Sequence, residues 1–313
     1  MERGRKEQEL KVKKVLYKMV QGLILLIIFY FLGQSLFLNW SKVKGYQWEL
    51  DYRLLIISFF LFGLVYLYLI RIWLLLLNKL GSNLSFWKMF KIWFLSNLGK
   101  YLPGKVWAVV GTIYLLEKEG VPKRKGLTTA IIGQALSVLS ALFLSFILLG
   151  YSLYEEIFSK NPIIFGVVIF FSIAVFVFIT YPKLLEMVIN LGLSLVKKER
   201  ISLELKTREI LSFLIYYILS WLLFGLAFLF FVKSITPVSW DLYLNLTGSF
   251  AFSLTIGFLA IFVPGGLGVR EGILVILLSL YFPLPVATLL AIFSRLWISV
   301  VEIAGALVSL AIK

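Results

Sequence analysis

A ten-residue stretch, Val263–Gly272, combines residue types that bind anions. Its first half supplies Pro264, Gly265, Gly266 and Gly268. Glycines let the backbone turn sharply and approach a ligand closely, and a helix that restarts after them presents unpaired N–H groups. Arg270 follows with a planar fork of donors suited to phosphate or carboxylate. The stretch predicts an anion site inside the membrane; the alternative is tight helix packing, with Arg270 and Glu271 in internal ion pairs.

Composition excludes several other kinds of chemistry. The 313 residues include no His and no Cys, so Ser-His-Asp and Cys-His nucleophiles, zinc sites of imidazole or thiolate, and disulfides are all excluded. The glycine spacing of the stretch fits neither a dinucleotide fingerprint nor a P-loop. We therefore expect no cofactor, no metal and no enzymatic activity. A transferase or hydrolase that uses intramembrane carboxylates is the least favoured function.

Two more charges lie in the last apolar run of the chain. Arg295 and Glu302 are seven residues apart, which places them on nearly one helix face but about 10 Å apart along the axis, too far for a direct pair. A charge at mid-membrane costs about 2.5–3.5 kcal/mol, so each needs a partner. Neighbours on a helix do not face each other. We predict that Glu271 pairs with Arg295, and that Arg270 either pairs with Glu302 or is left to a ligand.

A second interrupted apolar region carries lysines. Its centre, Asn97–Lys105, has Lys100 and Lys105 on either side of Pro103 and Gly104. Proline removes a backbone donor and glycine frees φ, so a helix is expected to break here. The pattern predicts a second cationic site near mid-depth. If the tip is shallow, the two lysines instead extend to the inner membrane surface.

The elements that position these residues are membrane helices. Hydrophobic residues make up 61% of the chain and charged residues 15%, whereas soluble domains are roughly 45–50% apolar and about 25% charged. A membrane-crossing helix needs about 20 apolar residues. The runs that meet this length are Met19–Leu38, Leu54–Leu77, Leu127–Gly150, Pro162–Tyr181, Ile210–Val232 and Val286–Ile312. We expect an all-α polytopic membrane protein.

Two further apolar regions are expected to fold back as re-entrant hairpins. They are residues 87–116 and 242–281, broken near the middle by the two stretches described above. Both ends of region 87–116 are basic, and cytoplasmic loops collect Lys and Arg, so this hairpin is predicted to enter and leave from the cytoplasm. Region 242–281 is predicted to form a hairpin that enters and leaves from the outer face, although Leu242–Phe262 alone is long enough to span.

The chain has a formal net charge of +15, and the distribution of its Lys and Arg residues among the loops predicts the threading. Lys and Arg gather in the tail, residues 1–18, and in loops that are therefore predicted to be cytoplasmic. Both termini of this multi-pass protein of the cell membrane are then predicted to be cytoplasmic. The order is then span, span, hairpin, span, repeated from the opposite face. Residues 19–150 and 151–313 become two inverted repeats with about eight membrane segments in total, a transporter pattern. We expect the tail to contact anionic inner-leaflet lipid and not nucleic acid.

The two interrupted segments together resemble a known family. Asn97–Lys105, Val263–Gly272 and the final stretch from Ala287 to Leu296 look like the lysylphosphatidylglycerol synthase transmembrane-region family, also called flippase-like membrane proteins. The resemblance implies a helical membrane bundle and an amphiphilic substrate with a phosphate head. The longest polar stretch is the linker between Tyr181 and Ile210. We therefore expect a stand-alone member without the soluble aminoacyl-transferase domain, which does not synthesise lysylphosphatidylglycerol.

These observations predict a flippase-like transporter of an anionic phospholipid or a polyprenyl-phosphate-linked lipid. The candidate head-group contacts are Lys100, Pro103, Gly104, Lys105, Pro264, Gly265, Gly266, Gly268, Arg270, Glu271, Arg295 and Glu302. The alternative is a non-transporting membrane subunit that anchors or regulates a separate glycosyl- or aminoacyl-transferase. Association of copies of the chain into a homo-oligomer is compatible with both.

Overall fold

The computed structural model describes residues 48–101, 106–153, 205–260 and 263–312, together with positions 166, 183, 186, 187 and 190. In these ranges the regular structure is helical, with no strand. The α-helices are α1 (Tyr52–Lys79), α2 (Phe86–Asn97), α3 (Val106–Lys118), α4 (Lys123–Leu153), α5 (Thr207–Lys233), α6 (Tyr243–Leu259), α7 (Val269–Leu278) and α8 (Leu284–Ala311). Short 3₁₀ turns lie at Leu98–Tyr101, Trp240–Leu242 and Pro264–Gly266.

Five helices of the described ranges are long and apolar enough to cross a membrane. They are α1, α4, α5, α8 and the continuous segment Trp240–Leu259 that contains α6. The helices predicted over 54–77, 127–150, 210–232 and 286–312 are thereby confirmed as membrane-crossing candidates. The tail and the run Met19–Leu38 lie outside the described residues, as does Pro162–Tyr181 except for position 166.

The first interrupted region forms two short antiparallel helices. The helix α2 has 12 residues and α3 has 13, which corresponds to about 18–20 Å each, short of the hydrocarbon core of about 30 Å. Lys88 of α2 pairs with Glu119 just after α3, at 2.6 Å. Nearer the break, the hydroxyl of Thr112 donates to that of Ser96 at 2.9 Å. The predicted interruption of the helix is confirmed: α2 and its 3₁₀ turn end at Tyr101, before α3 begins.

The second interrupted region also consists of two antiparallel helices, α6 and α7. At the end of this pair that lies away from the break, Asn245 donates to the Tyr281 hydroxyl at 2.9 Å. Near the break, a Cβ added to Gly257 would lie 2.7 Å from the Cβ of Arg270, so only glycine allows this close approach. The two arms differ in length, because Trp240–Leu259 has 20 residues whereas α7 has 10.

Each helix pair is open at the end away from its break, and the two open ends lie at opposite ends of the bundle. At one end Lys79 of α1 pairs with Glu209 of α5 at 2.7 Å, and Lys125 of α4 donates to the carbonyl of Gly81, which follows α1, at 2.7 Å. The pair α2/α3 opens here, since α3 leads directly into α4. At the opposite end the chain before α1 bonds to the chain after α5, and α6 begins shortly beyond that point. The breaks of both pairs therefore point toward the interior of the bundle.

Aromatic side chains fill the core between α1, α5, α6 and α8. Phe62 lies 4.3 Å from Trp297 between ring centroids, and Phe231 lies 4.9 Å from the same indole. Phe228 stacks on Phe250 at 4.5 Å. Such rings bury a large apolar area and have few rotamers, so they hold the four helices in fixed positions.

Candidate functional site

Glu271 is held at the second break by two donors. Gly268 caps α7 with a φ of 77°, a conformation that favours glycine. The Glu271 side chain turns back so that Oε2 accepts the Gly268 N–H at 2.6 Å. Its Oε1 accepts from Arg295 Nη1 of α8 at 2.8 Å. The predicted pair of Glu271 with Arg295 is confirmed.

Arg270 is buried next to Glu271, with 5% of its surface exposed. Its Nη2 donates to Ser294 Oγ at 2.9 Å, and its Cζ lies 5.8 Å from the centre of the Phe250 ring. Its Nη1 is 3.9 Å from Glu271 Oε1. The prediction that these two neighbours do not face each other is therefore wrong. The Glu271 side chain turns back to accept the Gly268 N–H, and this brings its carboxylate toward Arg270. The buried Arg270 Nε has no hydrogen-bond partner within the described ranges.

Glu302 lies about two helical turns beyond Arg295 in α8 and is 3% exposed. Its Oε1 accepts a hydrogen bond from the Tyr66 hydroxyl of α1 at 2.6 Å, and the same oxygen forms an ion pair with Lys100 Nζ. The carboxylate also lies within electrostatic range of Arg270. Lys100 of the first interrupted segment thus reaches an internal carboxylate of α8.

The two breaks meet at Gly265. A Cβ added there would lie 3.2 Å from Arg295 Nη2 and 3.6 Å from the Lys100 carbonyl oxygen, and the residue has a φ of 56°. Gly266 packs on Gly257, whose carbonyl oxygen would lie 2.5 Å from an added Cβ. Pro264 forms the 3₁₀ turn with these two glycines. The remaining predicted contacts, Pro103, Gly104 and Lys105, lie outside the described residues.

The described part of this cluster contains more positive than negative charge. Three cations, Lys100, Arg270 and Arg295, face two carboxylates, Glu271 and Glu302. Each carboxylate has a cation within 3 Å that is not Arg270. The excess positive charge is therefore assigned to Arg270, the most deeply buried of the three.

The cluster lies far from the ends of α1 and α8 and is closed. Tyr66 is near the middle of α1 and Arg295 is near the middle of α8. Side-chain exposure is 6% for both Arg270 and Glu271, 19% for Arg295 and 31% for Lys100. The charges are packed against one another, and Lys100 is the most accessible of them.

Sequence reasoning missed two residues of the cluster. Tyr66 supplies a donor to Glu302, and Ser294 accepts from Arg270. A tyrosine or serine inside an apolar run carries no signal of its own. Ser294 directly precedes Arg295, and this adjacency is the only local hint in the sequence.

Fold and site define a multi-pass helical membrane protein with a charged cluster between two interrupted helices. The chain belongs to the lysylphosphatidylglycerol synthase TM region family, whose family model matches residues 18–305. The family resemblance read from the two interrupted segments is thereby confirmed. The comparison with curated proteins found no match, and the comparison with solved structures also found none.

Proposed function

We propose that this chain is a flippase-like transporter that moves a lipid with an anionic phosphate head group between the two leaflets. The substrate is an anionic phospholipid or a polyprenyl-phosphate-linked lipid. Membership of a family defined by a lipid synthase's membrane region supports a lipid substrate. The chain contains neither His nor Cys, and we propose that it has no catalytic activity of its own.

The observation that carries this proposal is the excess cation, Arg270. An uncompensated charge in the hydrocarbon region is expensive and usually marks a functional site. The guanidinium has spare hydrogen-bonding capacity, because its buried Nε has no partner in the described ranges. A phosphate would supply both the missing negative charge and the missing acceptor.

The arrangement of the helix pairs supports alternating access. We propose that α2/α3 and α6/α7 are re-entrant hairpins that enter from opposite faces, and that they belong to inverted repeats covering residues 19–150 and 151–313. Broken helices that meet near mid-depth are the sites where such transporters hold their substrates. Movement of one repeat against the other would expose the cluster to each leaflet in turn.

Charge distribution supports an orientation in the cell membrane. The end of the bundle where α2/α3 opens carries Lys79, Lys88, Lys118, Lys123, Arg124 and Lys125. Basic residues favour the cytoplasmic side, so we propose that this end faces the cytoplasm. The C-terminal end of α8 lies at the same side, because Lys91 of α2 donates to the carbonyl of Ile312.

Reconstitution tests the proposal. Proteoliposomes would contain fluorescently labelled phosphatidylglycerol or labelled polyprenyl phosphate, and a membrane-impermeant quencher would report transfer between leaflets. We expect wild type to exchange at least one of these lipids, and Arg270→Met to lower the initial rate by about tenfold or more, since it removes charge-assisted hydrogen bonds.

The matched control is Lys88→Met, which removes a lysine from the Lys88–Glu119 pair outside the cluster and should leave the rate unchanged. Failure of wild type to exchange either lipid, or an Arg270→Met rate equal to wild type, would contradict the proposal.

One observation favours a second candidate function, a membrane subunit of a separate glycosyl- or aminoacyl-transferase. The cluster is closed, and both carboxylates have cation partners within it, as expected of a purely structural network. In that case proteoliposomes show no exchange, and such an enzyme co-purifies with both wild type and Arg270→Met.

A further inference from the structure

We infer that Lys100, Glu302 and Tyr66 form a clasp that the phosphate of the substrate opens. In the closed state Lys100 contacts Glu302; on binding, the phosphate replaces Glu302 as the anion that Lys100 contacts. This inference rests on the proposed function and names the residue that exchanges partners. The two members of the pair differ in a way that permits such an exchange.

The first difference is accessibility. The Lys100 side chain is 31% exposed and that of Glu302 is 4% exposed, so an incoming anion reaches the lysine more readily than the carboxylate. Lysine is also a flexible point charge with three rotatable donors. Lys100 can therefore swing toward a new anion while Glu302 stays in place.

The second difference is the support that each group retains when the pair opens. Glu302 keeps the hydrogen bond from Tyr66 at 2.6 Å and the favourable electrostatic interaction with Arg270. Rings hold the phenol in position, because Tyr66 lies edge-on to Phe62 at 5.0 Å and to Phe94 at 5.7 Å. The buried carboxylate is therefore not left without a donor, which is the situation that makes breaking a buried pair costly.

The other ion pair of the cluster is less suited to such an exchange. Both oxygens of Glu271 are engaged, one by Gly268 N–H and the other by Arg295. Removing Arg295 would leave that carboxylate next to Arg270 at 3.9 Å and would free a guanidinium that is 19% exposed. Arg295 is less exposed than Lys100, 19% against 31%, and its planar guanidinium is less mobile than an ammonium on a flexible stem, so Lys100 is the better candidate.

Charge balance and position both support the exchange. A singly charged phosphate diester brings the described part of the cluster, three cations and two carboxylates, to neutrality. The backbone of Lys100 lies against Gly265, close to Arg295, so the lysine is already at the junction of the two breaks. Loss of its contact with Glu302 would also remove a bond between the turn after α2 and α8, which links binding to movement.

A double-mutant cycle in phosphate binding tests the clasp. The probe is dodecyl phosphate, titrated into the purified full chain in dodecyl maltoside micelles and followed by calorimetry. We expect Glu302→Gln to bind the probe at least about fivefold more tightly than wild type, because Lys100 no longer has a competing carboxylate. Lys100→Met should bind more weakly, and adding Glu302→Gln to it should restore nothing.

Tyr66→Phe gives a test in the opposite direction, which guards against a folding artefact of Glu302→Gln. Without the phenol donor, Glu302 depends more on Lys100, so the probe should bind more weakly than to wild type. The matched control is Glu119→Gln, which removes the carboxylate of an ion pair on the same helix pair and should leave affinity unchanged. Weaker or unchanged binding by Glu302→Gln would overturn the clasp.

Two further comparisons separate this inference from the proposed function. Binding that depends on Arg270 but shows no change in Glu302→Gln or Lys100→Met overturns the clasp alone. Absence of binding to wild type and to Glu302→Gln alike overturns both. Inorganic phosphate serves as a second probe. If the variants change its binding in the same way, the clasp is supported and phosphate itself is the group recognised. If they change the binding of dodecyl phosphate but not of inorganic phosphate, the clasp is supported and recognition requires the amphiphile.

Discussion

Two ion pairs connect the interrupted helices to α8, and they are built differently. Glu271 and Arg295 are both mostly buried, and the carboxylate also caps α7 through Gly268. Lys100 and Glu302 pair across the bundle, with the lysine partly exposed and the carboxylate held by Tyr66 as well. In the first pair, loss of Glu271 leaves a mostly buried arginine and an uncapped helix end, and loss of Arg295 leaves a buried carboxylate without its ion pair. In the second, the more exposed lysine can leave while the carboxylate keeps its hydrogen bond from Tyr66.

This difference separates a fixed part of the site from a movable one. The fixed part comprises the second break, where Gly257 and Gly266 allow the backbones to pack closely and Glu271 fastens α7 to α8. Arg270 projects from this frame with the uncompensated charge. The movable part is the lysine of the first break. A transporter needs both, because the substrate must be recognised at a constant position and recognition must also alter the packing of helices.

The largest expected effect separates the two carboxylates. Glu271→Ala leaves Arg295 without its carboxylate and the Gly268 N–H without an acceptor, and we expect a loss of about 3–5 kcal/mol in the free energy of unfolding. Unfolding of the purified protein by increasing SDS in mixed micelles measures it. Glu302→Ala is the comparison and should cost clearly less, because Lys100 is partly exposed. Equal losses would remove the distinction between fixed and movable pairs.

The next effect concerns the packing of the fixed part. Gly257→Ala places a methyl group 2.7 Å from the Arg270 Cβ, and overpacking of this kind costs about 1–3 kcal/mol. Gly272→Ala in α7 is the control, since an added Cβ there has nothing within 4 Å. The same SDS titration should place Gly257→Ala below wild type and Gly272→Ala at or above it. The reverse order would show that the close approach of α6 and α7 is not essential.

Sequence reasoning predicted the fixed part better than the movable one. The interruptions follow from Pro-Gly steps, and the Glu271–Arg295 pair follows from the cost of unpaired charge in a membrane, so both could be predicted. The contact between Lys100 and Glu302 joins residues 202 positions apart, and it depends on how the bundle packs. Tyr66 lies in an apolar run where tyrosine has no special meaning. The proximity of Arg270 to Glu271 arises from a side-chain cap that helix geometry alone does not reveal.

A third prediction addresses the excess charge. Arg270→Met removes a buried cation whose compensation is incomplete, so we expect the free energy of unfolding to rise by about 1–2 kcal/mol even though lipid exchange becomes slower. Ser294 keeps its bond to the Ala291 carbonyl. Arg295→Met should destabilise instead, because it leaves the Glu271 carboxylate without its closest cation. If Arg270→Met also destabilised strongly, Arg270 would belong to the fixed network and not to the ligand site.

The smallest expected effect is that of Tyr66→Phe. Loss of one hydrogen bond to a carboxylate that retains Lys100 should lower the free energy of unfolding by about 0.5–1 kcal/mol. Tyr114→Phe, at a tyrosine of α3 that is 54% exposed, should show no change. A loss of several kcal/mol in Tyr66→Phe would mean that Lys100 cannot hold Glu302 by itself, and that the clasp is a single rigid unit.

The most direct test measures the coupling energy of each ion pair with and without ligand. Unfolding of wild type, Lys100→Met, Glu302→Gln and the double variant gives the coupling of the Lys100–Glu302 pair, and the corresponding Glu271 and Arg295 variants give that of the other. Each cycle is run in the absence of dodecyl phosphate and at saturation. We expect both pairs to be coupled without the probe, and only Glu271–Arg295 to remain coupled when it is bound. Undiminished coupling between Lys100 and Glu302 at saturation would contradict the account.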